Sequence, residues 1–180
     1  KRFTASSMWL PMIEYREGYG LTYGARVSFV DRFGPRSRLS IPLTWGGERQ
    51  AQVELERNFT GRALARVVGG GGVTRRENPF YELGDMRQTV WARVESAPRS
   101  WLRTGVGARL SDVAFGAIDD RLTTFGADVT VDTRVDPALP RNAVFVSLGI
   151  ERLGFASESL GPEPPPDPAL SARRVTVDAR

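Results

Sequence analysis

The sequence contains no histidine and no cysteine, and every basic residue except Lys1 is an arginine. These absences exclude a Ser-His-Asp or Cys-His nucleophile, a zinc finger, any thiolate or imidazole metal site and a disulfide framework. We therefore predict neither enzymatic activity nor a cofactor. The chain begins at Lys1 without a methionine or an apolar signal segment, and we expect a trimmed or excised start.

Long apolar runs are also missing. No stretch of about 18 apolar residues occurs, so the sequence predicts no transmembrane helix. A membrane β-barrel is not excluded, because its strands are recognised by alternation of apolar and polar residues. The 25 basic and 21 acidic residues leave a formal charge of +4. The basic residues do not cluster into a stripe with interleaved aromatic residues, which argues against a nucleic-acid partner. The 41% share of hydrophobic residues predicts a folded chain, and its length fits a single domain over residues 1–180.

Apolar and polar residues alternate over most of the chain. Successive side chains of a β-strand point to opposite faces, so the pattern predicts strands with one apolar and one polar face. The apolar positions of the first clear strands are Leu21, Tyr23, Val27, Phe29, Leu39, Ile41, Leu43 and Trp45. The polar positions that recur along successive strands include Arg26, Arg38, Glu54, Arg103, Arg109 and Asp128. No sustained period of 3.6 residues occurs, so we predict an all-β fold of about ten meandering antiparallel strands, opening with a weakly patterned strand over residues 8–15.

Several predicted strands run for about 9–11 residues, which matches a tilted membrane crossing. Short turns are predicted at residues 32–36, 60–61 and 97–99. Longer links are predicted at residues 74–85, 114–121 and 156–171. Short turns on one side and longer loops on the other are typical of outer-membrane barrels.

Aromatic residues lie at predicted strand ends, namely Trp45, Phe59 and Trp101. Such positions fit the aromatic girdles at the two membrane interfaces, and they also fit the core of a soluble sandwich or lipocalin-like barrel. A soluble barrel turns its apolar face inward, whereas a large membrane barrel holds charge in a watery lumen. Alternation alone does not decide which face is inside, so both architectures stay open at this point.

Glycines and carboxylates give no sign of chemistry. Residues 69–72 are all glycine but lack the Gly-Lys-Ser/Thr of a phosphate-binding loop, which predicts a flexible or kinked strand. The Gly105-Val106-Gly107 segment lies within a predicted strand, which argues against a dinucleotide site. We expect Asp119 and Asp120 to be solvated loop acids.

Residues 132–143 (DTRVDPALPRNA) resemble the D-T-R-x-x-P-x-x-P-x-x-G hairpin of BamA/TamA-like outer-membrane proteins, the bacterial surface antigen superfamily. The residues that carry this likeness are Asp132, Thr133, Arg134, Asp136, Pro137, Pro140 and Asn142. Asn142 replaces the glycine that is customary near the end of this turn, and it also tolerates left-handed backbone geometry. Residues 17–20 are similar to the first extracellular turn of such barrels, and residues 33–34 to a periplasmic turn. We also predict an ion pair between Asp132 and Arg134 that stabilises the turn.

The resemblance implies an antiparallel transmembrane β-barrel in the bacterial outer membrane. The chain would form roughly the first ten strands of a barrel of about sixteen. On this interpretation the polar positions above face the lumen and the apolar positions face lipid. The implied partners are the lipid bilayer, nascent outer-membrane proteins and periplasmic domains absent from this chain.

The implied activity is insertion or translocation of other proteins, with residues 8–15 offering free backbone groups to an incoming strand. Two other functions stay open. One is a small complete outer-membrane barrel that acts as an adhesin or pore, and the other is a soluble lipocalin-like carrier of an apolar ligand.

Overall fold

The chain folds into one antiparallel sheet. The computed structural model describes residues 6–79, 83–116, 118–134, 144–158 and 170–179. They form ten strands, each paired with its neighbours in sequence. The strands are β1 (Ser6–Arg16), β2 (Gly20–Val30), β3 (Ser37–Gly46), β4 (Glu48–Asn58), β5 (Arg66–Asn78), β6 (Leu83–Arg99), β7 (Leu102–Phe115), β8 (Ile118–Asp132), β9 (Phe145–Glu158) and β10 (Leu170–Ala179). The predicted all-β meander of about ten strands is confirmed.

The described part of the chain contains no helix long and apolar enough to cross a membrane.

The sheet is open. Strands β1 and β10 form its two edges, and they do not pair with each other among the described residues. An edge strand presents a row of backbone N–H and C=O groups without a ladder partner. The predicted antiparallel sheet of about ten strands is thus confirmed, whereas the described residues do not close it into a barrel.

The strand register divides the side chains between two faces, because directly opposed residues of antiparallel strands point to the same side. One face, which we call the polar face, carries Arg26, Arg38, Glu54, Arg103, Arg109 and Asp128. The opposite face, which we call the apolar face, carries Leu21, Tyr23, Val27, Phe29, Leu39, Ile41, Leu43 and Trp45. The two predicted sets therefore lie on opposite sides of one continuous sheet.

The sheet curves so that the polar face is inside. Val106 and Phe125 on the apolar face are 58% and 60% exposed. The side chains of Arg93 and Asp128 on the polar face are only 35% and 28% exposed. A flat single sheet would expose both faces equally. A cavity of about 560 Å³ also opens on the polar face, and it is lined by residues from five neighbouring strands, β6 to β10.

The apolar face has no packing partner among the described residues. Val68, at 4% exposure, is the one fully buried apolar side chain among the described residues, and it lies on the polar face, opposite Glu56 and Arg93. The chain exposes 13340 Å², whereas a compact soluble protein of this size exposes about 8,700 Å². The apolar surface that a soluble domain would bury in its core is therefore on the outside of this sheet.

We call the edge with the β1–β2, β3–β4, β5–β6, β7–β8 and β9–β10 links the upper edge, and the opposite one the lower edge. The prediction that residues 74–85 and 114–121 form longer links at the upper edge is wrong. Strand β5 continues to Asn78 and β6 begins at Leu83, while β7 ends at Phe115 and β8 begins at Ile118. Asp119 and Asp120 thus lie in a strand. Polar residues extend these hairpins because ladder pairing uses backbone groups and requires no apolar side chain.

The prediction that several strands run for about 9–11 residues is confirmed for β1 to β4 and β10, which have 10 or 11 residues, whereas the other strands are longer, up to 17 residues in β6. The predicted turn at residues 97–99 lies inside β6, at a register shift between Ser96 and Arg99. The chain reverses two residues later, at Ser100 and Trp101. Pro98 has no N–H to donate, and such a residue is tolerated at a bulge.

The short turn predicted at residues 60–61 is instead a longer link over residues 59–65, and most of the link predicted at residues 156–171 lies outside the described residues. Two other predicted turns are confirmed. The turn at residues 32–36 separates β2 from β3, and Asp31 accepts a hydrogen bond from the Arg36 N–H at 2.6 Å. Residues 17–19 form the turn after β1, where Gly18 has a φ of 82°. Trp45, Phe59 and Trp101 lie at or next to strand ends, as expected.

Candidate functional site

A chain of ion pairs runs across the polar face. Glu56 of β4 contacts Arg66 of β5 at 3.1 Å, and Arg66 contacts Glu95 of β6 at 3.5 Å. Glu95 contacts Arg93 at 2.7 Å, and Arg93 reaches Asp128 of β8 at 2.7 Å. The charged groups of this chain of ion pairs are thus paired with one another, which lowers the cost of removing them partly from water.

Glycine makes the last of these contacts feasible. Arg93 and Asp128 lie on β6 and β8, so the guanidinium group crosses the intervening strand β7. The register places Gly105 directly between Glu95 and Asp128. A Cβ atom at Gly105 would lie 3.0 Å from the Asp128 Oδ1 atom and would collide with the Arg93 guanidinium group. The Gly-x-Gly segment therefore provides space for an ion pair, and the prediction against a dinucleotide site stays untested.

The tetraglycine segment, residues 69–72, lies in β5, and two of its members face the polar side beside Trp91. Gly70 is opposite Trp91 in the register, and a Cβ atom at Gly70 would lie 2.5 Å from the Val53 carbonyl oxygen and 3.4 Å from the Trp91 ring. A Cβ atom at Gly72 would lie 2.7 Å from the Ala51 carbonyl oxygen. Side chains converge on the inner surface of a curved sheet, so glycine lets the backbones approach closely here.

The predicted ion pair between Asp132 and Arg134 is confirmed. The Arg134 guanidinium group donates to both carboxylate oxygens, at 2.8 and 2.9 Å, and the Arg134 backbone N–H donates to Oδ1 at 3.1 Å. These hydrogen bonds lower the pKa of Asp132 to about 2. Arg134 also lies over the ring of Phe145, 4.4 Å from its centre. The contacts join the end of β8 to the start of β9 across the lower-edge link.

The remaining residues of the hairpin motif, Asp136, Pro137, Pro140 and Asn142, lie outside the described residues. Thr133 does lie within them. Its hydroxyl accepts a hydrogen bond from the Val144 N–H at 2.8 Å and donates to the Val144 carbonyl oxygen at 3.2 Å. The first three residues of the motif therefore act together to close the base of the β8–β9 link.

Edge strand β1 has apolar side chains on both faces. Trp9, Ile13 and Tyr15 lie on the apolar face and are 63%, 79% and 73% exposed. Met8 and Leu10 lie on the polar face and are 44% and 45% exposed. The interior strands place mostly polar residues and glycines on that face, with some apolar residues such as Trp91 and Leu122, whereas β1 has Met8, Leu10 and Met12 there in succession.

Sequence reasoning found only part of the charged cluster. Of the predicted polar positions, Asp128 takes part in the ion-pair chain, whereas Arg26, Arg38, Arg103 and Arg109 form no ion pair with any described carboxylate. Arg66, Arg93 and Glu95 were not singled out. These residues could have been identified as opposite charges at matching positions of neighbouring predicted strands. That match can be recognised only when the strand register is known.

No group of three or more carboxylates within the described ranges could hold a metal ion. Comparisons of the chain with models of protein families, with curated proteins and with solved structures find no match.

Proposed function

We propose that this chain forms part of a β-barrel in the bacterial outer membrane, resembling the BamA/TamA-like proteins that insert or translocate other proteins there. The observation that carries the proposal is the inverted polarity of the curved sheet. Its inner surface holds paired charges, while its outer surface holds exposed apolar side chains. A membrane barrel needs this distribution, because its outside contacts lipid and its inside contacts water.

The apolar surface is continuous across strands. Val94 pairs with Val106, Val106 with Ala127, Ala127 with Ile150, and Ile150 with Val175, which makes one unbroken apolar row over β6 to β10. Soluble monomers rarely expose a contiguous apolar patch of more than a few hundred Å². A bilayer removes this cost without requiring a second layer of protein.

Two features support the more specific, BamA/TamA-like role. The turn sequence Asp132-Thr133-Arg134 forms a compact hydrogen-bonded unit at the lower edge, where the resemblance expects a periplasmic turn. Strand β1 is an edge strand with apolar side chains on both faces, so an incoming apolar strand would find both backbone partners and apolar contacts along it.

The alternatives fit the structure less well. A lipocalin-like carrier requires Leu39, Ile41 and Leu43 to point inward, but they lie on the face opposite the cavity. A small complete barrel requires its first and last strands to pair, and β1 and β10 do not do so among the described residues.

Membrane insertion is tested by diluting the urea-unfolded chain into phosphatidylcholine vesicles. We expect the chain to float with the vesicles, to resist alkaline extraction and to be protected from trypsin along its strands. A chain that stays in the aqueous fraction and is digested completely would exclude the membrane proposal. A parallel dilution without vesicles is the control for protection by aggregation.

The role of β1 is tested by disulfide trapping, which the absence of cysteine makes specific. Ile13→Cys places a thiol on β1, and Val53→Cys places one on the same face of interior strand β4. Each vesicle-inserted variant is oxidised with a peptide that corresponds to a terminal strand of an outer-membrane protein and carries one cysteine. We expect cross-linking at position 13 and little at position 53. Equal yields would contradict the β1 proposal while leaving membrane insertion intact.

A further inference from the structure

Two pairs of arginines face each other across neighbouring strands on the apolar face. Arg49 of β4 is directly opposite Arg75 of β5, and Arg152 of β9 is directly opposite Arg173 of β10. All four residues are exposed. Directly opposed side chains have Cβ atoms only about 4.5–5.5 Å apart, and like charges at this distance destabilise a sheet. The arrangement occurs twice, on well-separated strand pairs.

Neither pair is neutralised within the part of the chain that the structure describes. None of the four arginines forms an ion pair with a carboxylate of the described residues. Another arginine of the same face, Arg121 of β8, behaves differently, because Asp112 of β7 lies 2.7 Å from it. Other arginines also lack an ion pair, but on the apolar face only these two pairs place two such arginines directly opposite each other among the described residues.

Each arginine pair borders the apolar surface on its upper side. Two residues from the β4–β5 arginine pair, towards the middle of the sheet, lies the apolar pair Ala51 and Val73. Two residues from the β9–β10 arginine pair lies the apolar pair Ile150 and Val175. Charge followed at once by apolar surface is the order in which a membrane lipid presents its phosphate and its acyl chains.

Space is available beside the β4–β5 pair. Arg49 and Arg75 line a cavity of about 710 Å³ at the upper edge, together with the glycines of the β1–β2 and β3–β4 turns. The planar guanidinium group forms two parallel hydrogen bonds with a phosphate. Two guanidinium groups that converge on one phosphate monoester would together carry a charge of +2, which balances the phosphate charge of nearly −2.

We propose that each arginine pair binds the phosphate group of an anionic lipid, with the acyl chains lying along the adjoining apolar residues. This inference rests on the proposed membrane location. It adds lipid sites at the upper border of the apolar face, where Arg49 and Arg75 form one site and Arg152 and Arg173 form the other.

The experiment uses the chain inserted in phosphatidylcholine vesicles, with trypsin protection measured first. Inserted protein is then extracted into a zwitterionic detergent and titrated with short-chain phosphatidic acid, and bound lipids are counted by native mass spectrometry. We expect two bound lipids per chain. The double variants R49Q/R75Q and R152Q/R173Q should each lose one, with binding at the altered site weakened by about tenfold or more.

A matched control is R26Q/R103Q, which removes the same charge from the polar face. It should bind both lipids as the wild type does. Inorganic phosphate, added as a competitor at equal concentration, should displace little phosphatidic acid, because it lacks the acyl chains. Phosphatidylserine, a phosphodiester with one phosphate charge, should bind more weakly.

The outcomes separate the two proposals. If the chain does not insert, the membrane location fails and the lipid sites fail with it. If the chain inserts but R49Q/R75Q and R152Q/R173Q retain both lipids, only the lipid sites are refuted. Equal loss in R26Q/R103Q would refute them too, since binding would then follow net charge alone. Complete competition by inorganic phosphate would refute the lipid assignment.

Discussion

Replacing Val106 by arginine tests whether the apolar face contacts lipid. Val106 is 58% exposed and lies in the middle of the apolar row, between Val94 and Ala127. Because more than half of its surface is already free of protein contact, the packing lost on substitution contributes less than about 1 kcal/mol. An arginine at the bilayer midplane costs about 2–4 kcal/mol, whereas a substitution at an exposed site of a soluble protein usually changes stability by less than about 0.5 kcal/mol.

The assay is urea unfolding in phosphatidylcholine vesicles, followed by tryptophan fluorescence. We expect Val106→Arg to lower the free energy of unfolding by about 2–4 kcal/mol. The control is Thr176→Arg, an exposed position on the polar face of β10, where the new charge meets water and should change stability by less than about 1 kcal/mol. If the two variants lose the same small amount, the apolar face does not contact lipid and the reasoning is refuted.

Three further predictions concern the polar face and the lower edge. Gly70→Ala should destabilise the chain by about 1–3 kcal/mol, because the new Cβ atom would lie 2.5 Å from a carbonyl oxygen of β4, whereas Gly84→Ala meets no atom within 4 Å and should be nearly neutral by the same titration. Equal effects would show that the close approach is not needed. Arg93→Gln should cost about 1 kcal/mol, and a double-mutant cycle with Asp128→Asn should give a coupling energy above zero; additive effects would contradict a functional ion pair. Since the pKa of Asp132 falls from 3.8 unfolded to about 2 folded, its contribution is present above pH 3.8 and is lost as the pH falls towards 2. In an acid titration of stability, the variant Asp132→Asn should lack this part of the pH dependence. Identical profiles for wild type and variant would contradict the prediction.

The strand content was predictable because alternation acts locally. A segment such as residues 21–29 shows its two faces without reference to any other strand, since the side-chain period of two is a property of the extended backbone. The prediction of where the hairpins end was wrong for a related reason. Residues 74–78 are polar and outside the apolar stretch, so hydrophobic patterning does not identify them, yet backbone pairing holds them in β5.

The ion-pair chain was only partly predictable. Asp128 was recognised from its place in the alternation, but its partner Arg93 lies two strands away and reaches it across Gly105. Such a contact depends on the registers of β6 with β7 and of β7 with β8 together. An interpretation of the sequence that treats each strand separately cannot predict these two registers, and so it cannot predict the contact.

The sequence by itself determined that the chain is all-β, that it forms about ten strands, and which residues share a face. Only the tertiary structure decided which face is inside, and it turned the charged face inward. The physical reason is that alternation specifies two sides of a ribbon and not the direction in which the ribbon bends. Curvature arises from the accumulated pairing of ten strands, with glycines at positions such as Gly70 permitting the backbones to approach on the inner surface.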